Sequence, residues 1–264
     1  MIPISVFIIT KNEEDRIAKI IDSAKKIADE IIVVDSGSSD NTTKIAQSMG
    51  AKVFFNEWNG YGKQKIFGED LCKNNWVLNI DADEEITSEL SQEIIKIFSQ
   101  NINPETAAFK IKIVNRFRFE KKPKKLAYFY NQIRLYRKDL AGFKESPIHD
   151  SVILRDNKNS KTKIIQLSNI ILHQSFRDFK HWIDKINSYS SMQAVDSFKK
   201  GKYPSHFKML ISPSIAFLKA YFLRRYFIYG VDGVIYSYLY AFSRFAKIIK
   251  TREYFKSQKN QSDS

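Results

Sequence analysis

The sequence predicts an α/β protein built on a parallel sheet and followed by a helical C-terminal extension. Three observations carry this. Apolar runs of strand length alternate four times with stretches of helical periodicity, polar clusters recur just beyond the apolar runs, and the chain from Ser175 onward keeps helical spacing.

Ile4 to Ile9 is the first apolar run, and the polar turn Thr10-Lys11-Asn12-Glu13-Glu14 leads into a helix marked by Ile17, Ile20, Ile21, Ala24 and Ile27. A second buried strand, Ile31 to Val34, ends in Asp35-Ser36-Gly37-Ser38-Ser39-Asp40. Ile45, Ala46 and Met49 then mark a short helix closed by Gly50. Val53 to Phe55 forms a third strand, and the loop Trp58 to Lys65, with glycines at 60 and 62, opens another helix. The fourth strand lies in WVLNIDADEE, residues 76–85, where Val77 to Ile80 delivers Asp81 and Asp83 into solvent. A two-residue step on extended backbone points both carboxylates to one side, where they can hold a divalent cation whose other ligands are phosphate oxygens. Alone, the motif also fits a strand followed by an acidic helix start.

Ligands of such sheets sit beyond the carboxyl ends of the strands, where Thr10–Glu14, Asp35–Asp40 and Asp81–Glu85 all fall. Asp35 can accept hydrogen bonds from a base or ribose, and Gly37 lets backbone approach a ligand closely. A plain turn with Asp40 as helix N-cap explains the same residues. The chain has neither GxGxxG nor GKS/T, so dinucleotide-binding and P-loop readings lack their glycine signatures.

Further along, Leu90, Ile94, Ile97 and Phe98 outline a helix, and Phe109, Ile111 and Ile113 alternate with Lys110 and Lys112 as in a half-exposed strand. NRFRFEKKPKK, residues 115–125, reads as a basic aromatic loop, either an acceptor-side phosphate patch or a solvated charged segment. Ile133 and Leu135 flank Arg134 in another strand; Arg134 faces the other way and can bind phosphate or form a structural ion pair. Residues 156–163 read as a polar hairpin tip. Ser175-x-x-Asp178 caps a helix carrying Phe179, Trp182, Ile183, Ile186 and Tyr189 on one face, with Gly201 at its end. Pro204 and Pro213 bracket a connection, and Ile215 to Phe255 mixes Tyr and Phe with Lys and Arg, a composition suited to a lipid head-group layer. Asp232, two glycines and several tyrosines argue against a transmembrane helix between Arg225 and Arg244, while a helix packed on the core or a homodimer contact stays open. Residues 257–264 read as a frayed tail.

At 264 residues and 43% hydrophobic content, the chain can bury one large core with an appendage. The single cysteine, Cys72, rules out an internal disulfide framework and fits a reducing compartment. MIPISVFIIT lacks a signal-peptide pattern, so the expected topology is cytosolic. Lys and Arg outnumber Asp and Glu by 43 to 29, for a net charge of +14, which favours polyanionic partners without choosing among nucleic acid, anionic lipid and phosphorylated substrates.

ITKNEE, IIVVDSGSSDNT, GYGKQK and WVLNIDADEE, in that order and spacing, resemble the donor half of family-2 glycosyltransferases with the GT-A fold, a mixed sheet flanked by helices. QIRLYR (132–137), PIHD (147–150) and LHQS (172–175) resemble later motifs of the lipopolysaccharide core biosynthesis branch. The resemblance implies an inverting, metal-dependent transferase with Thr10, Asn12 and Glu13 lining the nucleotide pocket, Asp35 at the base beside Gly37 and Ser38, and Lys65 reaching the diphosphate or ribose. Asp83 is the first choice for direct metal coordination, Asp81 coordinates or holds the ribose, and the resemblance adds His173; the ion is Mn²⁺ or Mg²⁺. It also places the base at Asp150, where many relatives of the branch carry Glu, and His149 stays in play for that role. The donor expected in this branch is a UDP-sugar, and the acceptor a lipopolysaccharide-core or other lipid-linked glycan.

The expected organisation is a catalytic domain over 1–174, with donor half 1–100 and acceptor half 101–174, then a membrane-associating extension over 175–256, at the inner face of the cytoplasmic membrane. Two other classes compete. A nucleotidyltransferase making sugar nucleotides would carry a glycine-rich N-terminal loop, which Thr10–Glu14 is not. A basic nucleic-acid-binding protein predicts steeply salt-dependent affinity and no donor turnover, and is not expected here because the aromatic and basic residues crowd a helical segment that fits membrane better.

Overall fold

The computed structural model of the chain describes residues 2–117, 119–120, 122–145, 151–155 and 162–262. They form two compact units: residues 1–114 with 129–174, and residues 115–128 with 175–264.

The first unit is built on an eight-stranded sheet. In chain order its elements are β1 (Ile4–Thr10), α1 (Ile17–Lys25), β2 (Glu30–Asp35), α2 (Thr42–Ser48), β3 (Lys52–Phe55), α3 (Tyr61–Leu71), β4 (Trp76–Asp81), β5 (Glu84–Ile86), α4 (Ser88–Phe98), β6 (Thr106–Asn115), β7 (Phe129–Arg137), β8 (Ala141–Phe143), β9 (Val152–Leu154) and β10 (Lys163–His173). The strand order is β3-β2-β1-β4-β7-β6-β10-β5. The first four run parallel, as the strand and helix alternation predicts, whereas β7 pairs antiparallel with both β4 and β6, and β5 antiparallel with β10. The sheet is therefore mixed, as expected of the GT-A fold.

β1 is buried along its whole length because both faces of the sheet are covered. Ile4, Val6 and Ile8 pack with the apolar stripes of α1 and α4, while Phe7 and Ile9 join the cluster of Cys72, Ala141 and Val152 on the other face. The period of two along the strand sorts these side chains. On that second face α3 comes very close: a Cβ on Gly68 would lie 2.7 Å from the Phe7 ring and 3.2 Å from Val34. Thr87 starts α4 by accepting the Leu90 N–H at 3.2 Å while donating its hydroxyl to the Ile170 carbonyl at 2.8 Å, tying helix to sheet.

The second unit holds α5 (Phe179–Lys199), α6 (His206–Leu218) and α7 (Val231–Ser262). Several local expectations change here. The N-cap of α5 is Asp178, which accepts the His181 N–H at 2.7 Å, rather than Ser175 a turn earlier. Pro213 does not bound a connection: it lies inside α6, which starts at the Ser205 cap. The stretch from Ile215 is not one helix either. Arg224 N–H bonds back to the Lys219 carbonyl at 2.9 Å, five residues earlier, and the chain then turns through positive φ at Arg225 (58°) and Gly230 (61°) before α7 begins and runs past Ser257 to Ser262. At Gly233 a Cβ would lie 1.8 Å from the Tyr226 carbonyl oxygen, so only glycine permits this return. Residues 115–125 are not an open loop throughout. Phe117 stacks on Tyr236 at 3.9 Å in a cluster with Tyr226, Tyr229 and Trp182, and Lys124 Nζ donates to the Ile228 carbonyl at 2.8 Å. Most of the expected hairpin tip, 156–161, lies outside the described residues.

Candidate active site

Parallel pairing places the ends of three strands side by side. Thr10 is in register with Asp35, and Ile9 with Asp81, so β2, β1 and β4 end together, each strand about 4.8 Å from the next. Each end is followed by one of the polar clusters.

The turn after β2 is organised by Asp35, whose Oδ2 accepts the N–H groups of Gly37 and Ser38 at 2.8 Å each, while Oδ1 accepts the Ser38 hydroxyl. Gly37 has φ 93°, so the left-handed residue of this turn is glycine. The turn after β1 is laced to it. Asn12, itself at φ 56°, donates its N–H to Ser38 Oγ and accepts the Ser39 N–H at Oδ1, both at 2.8 Å. Glu13 N–H donates to Thr42 Oγ1 at 2.7 Å, and the Glu13 carboxylate holds Arg16 at 2.6 Å. Asp40 accepts from both Thr42 N–H and Glu14 N–H and so ties the start of α2 to the first turn, while the N-cap position of α2 falls to Asn41 rather than Asp40. Thr10 Oγ1 is buried and has no hydrogen-bond partner among the described residues. A buried hydroxyl left in that state costs free energy that a ligand would recover.

Beyond β4 lies a network of buried charge. Lys65 from α3, with no exposed surface, reaches Asp81 Oδ1 at 2.9 Å. Arg134 from β7 donates to Asp81 Oδ2 at 3.2 Å, to Glu84 Oε1 at 2.5 Å and to Asn79 Oδ1 at 2.7 Å. Glu84 closes the loop by accepting the Asp81 N–H at 3.0 Å. Burial alone would raise the Asp81 pKa, but the Lys65 and Arg134 charges outweigh it and hold the carboxyl at about 2. Burial pushes Glu84 above the ordinary glutamate range, against the pull of Arg134.

Asp83 takes a different environment. Ala82 and Asp83 form a turn, not the extended step expected from the sequence, so the two aspartates address different partners. His173 Nε2 lies 3.3 Å from Asp83 Oδ2, and Gln174 N–H donates to the Asp83 carbonyl at 2.9 Å. Tyr130 hydroxyl sits 3.4 Å from His173 Nδ1, leaving Nε2 directed at the carboxylate. Arg16 Nη1 donates to the Gln174 carbonyl at 2.7 Å, joining the start of α1 to the end of β10.

This geometry brings Thr10, Asn12, Glu13, Asp35, Gly37 and Ser38 together at the ends of β1 and β2, and Lys65, Asp81 and Arg134 together at the end of β4, with Asp83 facing His173. His149 and Asp150 lie outside the described residues. Sequence reasoning did not find Glu84, Asn79, Tyr130 or Arg16. The signal for Asn79 is a lone amide in an apolar strand. Glu84 was legible only as one more acid in DADEE.

One carboxylate and one imidazole, with side chains 12% and 17% exposed, are a donor set that a hard or borderline divalent cation accepts. No group of three or more His, Cys, Asp and Glu able to hold a metal occurs among the described residues. A cation on this pair would complete its shell from substrate oxygens and water, as Mg²⁺ commonly does.

Residues 5–157 match the family Glycosyl transferase family 2. An uncharacterized glycosyltransferase of Rickettsia conorii is 45% identical over 97% of this chain and 92% of its own length. The lipopolysaccharide core biosynthesis glycosyltransferase LpsC of Rhizobium meliloti is 30% identical over 100% of this chain and 97% of its own. Among solved structures, glucosyl-3-phosphoglycerate synthase from Mycobacterium tuberculosis, crystallised with Mn²⁺, UDP and glucosyl-3-phosphoglycerate, is 25% identical over 44% of each chain with a TM-score of 0.34. The family match spans more than half of the chain and the relatives cover nearly all of it, so the protein belongs to glycosyltransferase family 2.

Proposed function

We propose that the protein is an inverting, metal-dependent glycosyltransferase that moves a sugar from a nucleotide-diphosphate donor, UDP-linked, to a hydroxyl of a lipopolysaccharide-core or other lipid-linked glycan at the inner membrane surface. The observation that carries this reading is the Asp83–His173 pair set beside the Lys65–Asp81–Arg134–Glu84 network, at the strand end next to the Thr10 and Asp35 turns. Full-length similarity to LpsC supports the acceptor class.

Thr10 and the Asn12–Ser38 lacing receive the nucleotide, with the unsatisfied Thr10 hydroxyl and the Asp35 turn nearest the base and ribose. Asp83 and His173 would hold Mn²⁺ or Mg²⁺, which would supply Lewis-acid stabilisation of charge on the leaving diphosphate. Asp81 is committed to Lys65 and Arg134, so its role is to fix the Lys65 ammonium near the diphosphate and the acidic turn near His173. Tyr130 orients the imidazole through Nδ1, as metal-bound histidines require. Asp150, with His149 as the alternative, takes the proton from the acceptor hydroxyl as it attacks.

A thermal-shift comparison of UDP and UDP-sugars with and without Mn²⁺ tests this. Stabilisation of about 2.7 kcal/mol at a hundredfold excess over Kd is expected only when nucleotide and cation are present together. Failure of every nucleoside diphosphate to shift the transition, with or without the cation, would sink the reading.

A further inference from the structure

The second unit exposes apolar side chains in an order that a water-facing helix does not adopt. On α6, Phe207, Leu210, Ile215 and Leu218 recur at helical spacing, and Phe222 extends the row into the following turn. All five are between 53% and 73% exposed. Ala216 and Ala220 on the opposite side are buried, so the helix turns its small residues inward and its large ones to water.

α7 repeats the arrangement. Val231, Ile235, Tyr238, Phe242, Phe245 and Ile249 follow one another at alternating intervals of four and three residues, and each is between 37% and 78% exposed. Its other face is already occupied: Ser237, Leu239, Ala241, Ile248 and Thr251 are buried. Phe217, next to Leu218 on α6, sets its ring 4.7 Å from the Tyr238 ring of the α7 row, so the two helices adjoin beside these rows. An apolar area of this extent marks an interaction site.

Charge decides the occupant. Between Lys202 and Lys250 the sequence carries eight Lys and Arg against one acid, Asp232. Lys208 and Lys219 are exposed on the flank of the α6 row. Lys247 on α7 has its pKa lowered by burial and then by the neighbouring Arg244 and Lys208, so cations from both helices crowd together. Two copies meeting through this face would set like charge against like charge, because a twofold contact pairs a patch with itself. An anionic lipid surface supplies the opposite sign across a plane. No described helix is long and apolar enough to cross a membrane, so contact is interfacial.

We propose that the outward rows of α6 and α7 form a single docking plane for an anionic bilayer, with Phe207, Leu218, Phe222 and Phe242 at the acyl boundary and Lys208, Lys219 and Arg225 at the level of the lipid phosphates. This deepens the membrane-surface reading given above by naming the face that makes the contact.

Flotation of the full chain with vesicles of phosphatidylcholine, alone or mixed with phosphatidylglycerol, tests the plane. The wild type floats with the anionic vesicles and is released by salt. Phe207→Ser/Leu210→Ser/Leu218→Ser/Phe222→Ser lowers partitioning by about tenfold or more, and Lys208→Glu/Lys219→Glu does so by about tenfold while flattening the salt dependence. A single Leu218→Trp probe shows blue-shifted emission on anionic vesicles, a readout that does not depend on the multiple variant folding. Three results overturn the proposal: equal flotation of the serine variant and the wild type, wild-type binding indifferent to phosphatidylglycerol, or no spectral shift of the probe. A dimer in sedimentation that the serine variant dissolves, with neither protein binding vesicles, overturns it in favour of a second copy. Metal-dependent donor hydrolysis without vesicles reads the transfer site separately, so a lost activity and a lost membrane contact are distinguishable.

Discussion

The end of β4 and the outer rows of α6 and α7 depart from ordinary burial in opposite directions. In the first, Lys65, Glu84 and Arg134 are sequestered from water; in the second, Phe207 and Val231 are more than 70% exposed. Buried charge is tolerated only where every partner is present, so the Lys65–Asp81–Arg134–Glu84 network is intolerant of any single deletion. Exposed apolar side chains leave folding nearly untouched and acquire their value when something covers them. The difference separates two kinds of residue: those whose loss harms the fold and the site together, and those whose loss alters only association.

Removing one member of the network breaks the comparison most directly. Arg134→Ala leaves Glu84 buried without its cation and Asp81 with Lys65 alone, and is expected to cost about 3–5 kcal/mol in urea unfolding. A cost under about 1 kcal/mol would mean that water reaches the network and that its burial is not what holds it. Asp83→Asn comes next. Its side chain faces His173, so stability stays within about 1 kcal/mol while metal-dependent donor hydrolysis falls by about 10²-fold or more. Undiminished hydrolysis in that variant, or in wild type stripped with EDTA, removes the metal from the mechanism.

The same contrast explains what could be read from the sequence. The four parallel strands and their helices follow from local periodicity, and the placement of Thr10, Asp35 and Asp81 at adjacent strand ends follows from parallel pairing. Arg134 was legible as a residue facing the other way from Ile133 and Leu135, open to a phosphate or an ion pair, but its partners were not: Glu84 lies fifty positions away in sequence, on an edge strand whose pairing with β10 no local pattern announces. The turn at Ala82–Asp83, which separates the two aspartates, was likewise invisible in a motif that reads as continuous extended chain. In the second unit, composition revealed the aromatic and basic character of the C-terminal stretch. Its division at Arg225 and Gly230 depends on close packing of Gly233 against the Tyr226 carbonyl, a tertiary contact.

Acid titration sharpens the view of the first region. Asp81 has its pKa depressed to about 2 in the folded protein, against about 3.9 for an unperturbed aspartate. A depressed carboxyl contributes stability that is present above the unfolded value and is lost as pH falls through the folded one, so the loss runs from about pH 4 down to about 2. Lys65 and Arg134 favour the ionised form, while Asp83 opposes it. Asp81→Asn is expected to be less stable than wild type at neutral pH, because Lys65 loses its partner, and the two unfolding curves should draw together below about pH 4. A constant offset over that range would show that Asp81 does not titrate with folding.

The smallest effect belongs to the second region. Leu218 is 53% exposed on the outer row of α6, and Leu78 is fully buried in β4. Leu78→Ala removes methylenes from a packed sheet interior and is expected to cost about 2–5 kcal/mol. Leu218→Ser removes a similar apolar volume from a site that water already reaches, so its cost in the isolated protein is within about 0.5 kcal/mol. Measured by thermal unfolding without lipid, the two leucines should therefore differ severalfold although their chemistry is the same. On anionic vesicles the order of consequences reverses, since only the Leu218 side chain belongs to a face that gains by being covered. If Leu218→Ser instead unfolds the protein as readily as Leu78→Ala, the outer row is structural core, and the distinction between a region that stabilises the fold and a region that waits for a surface disappears.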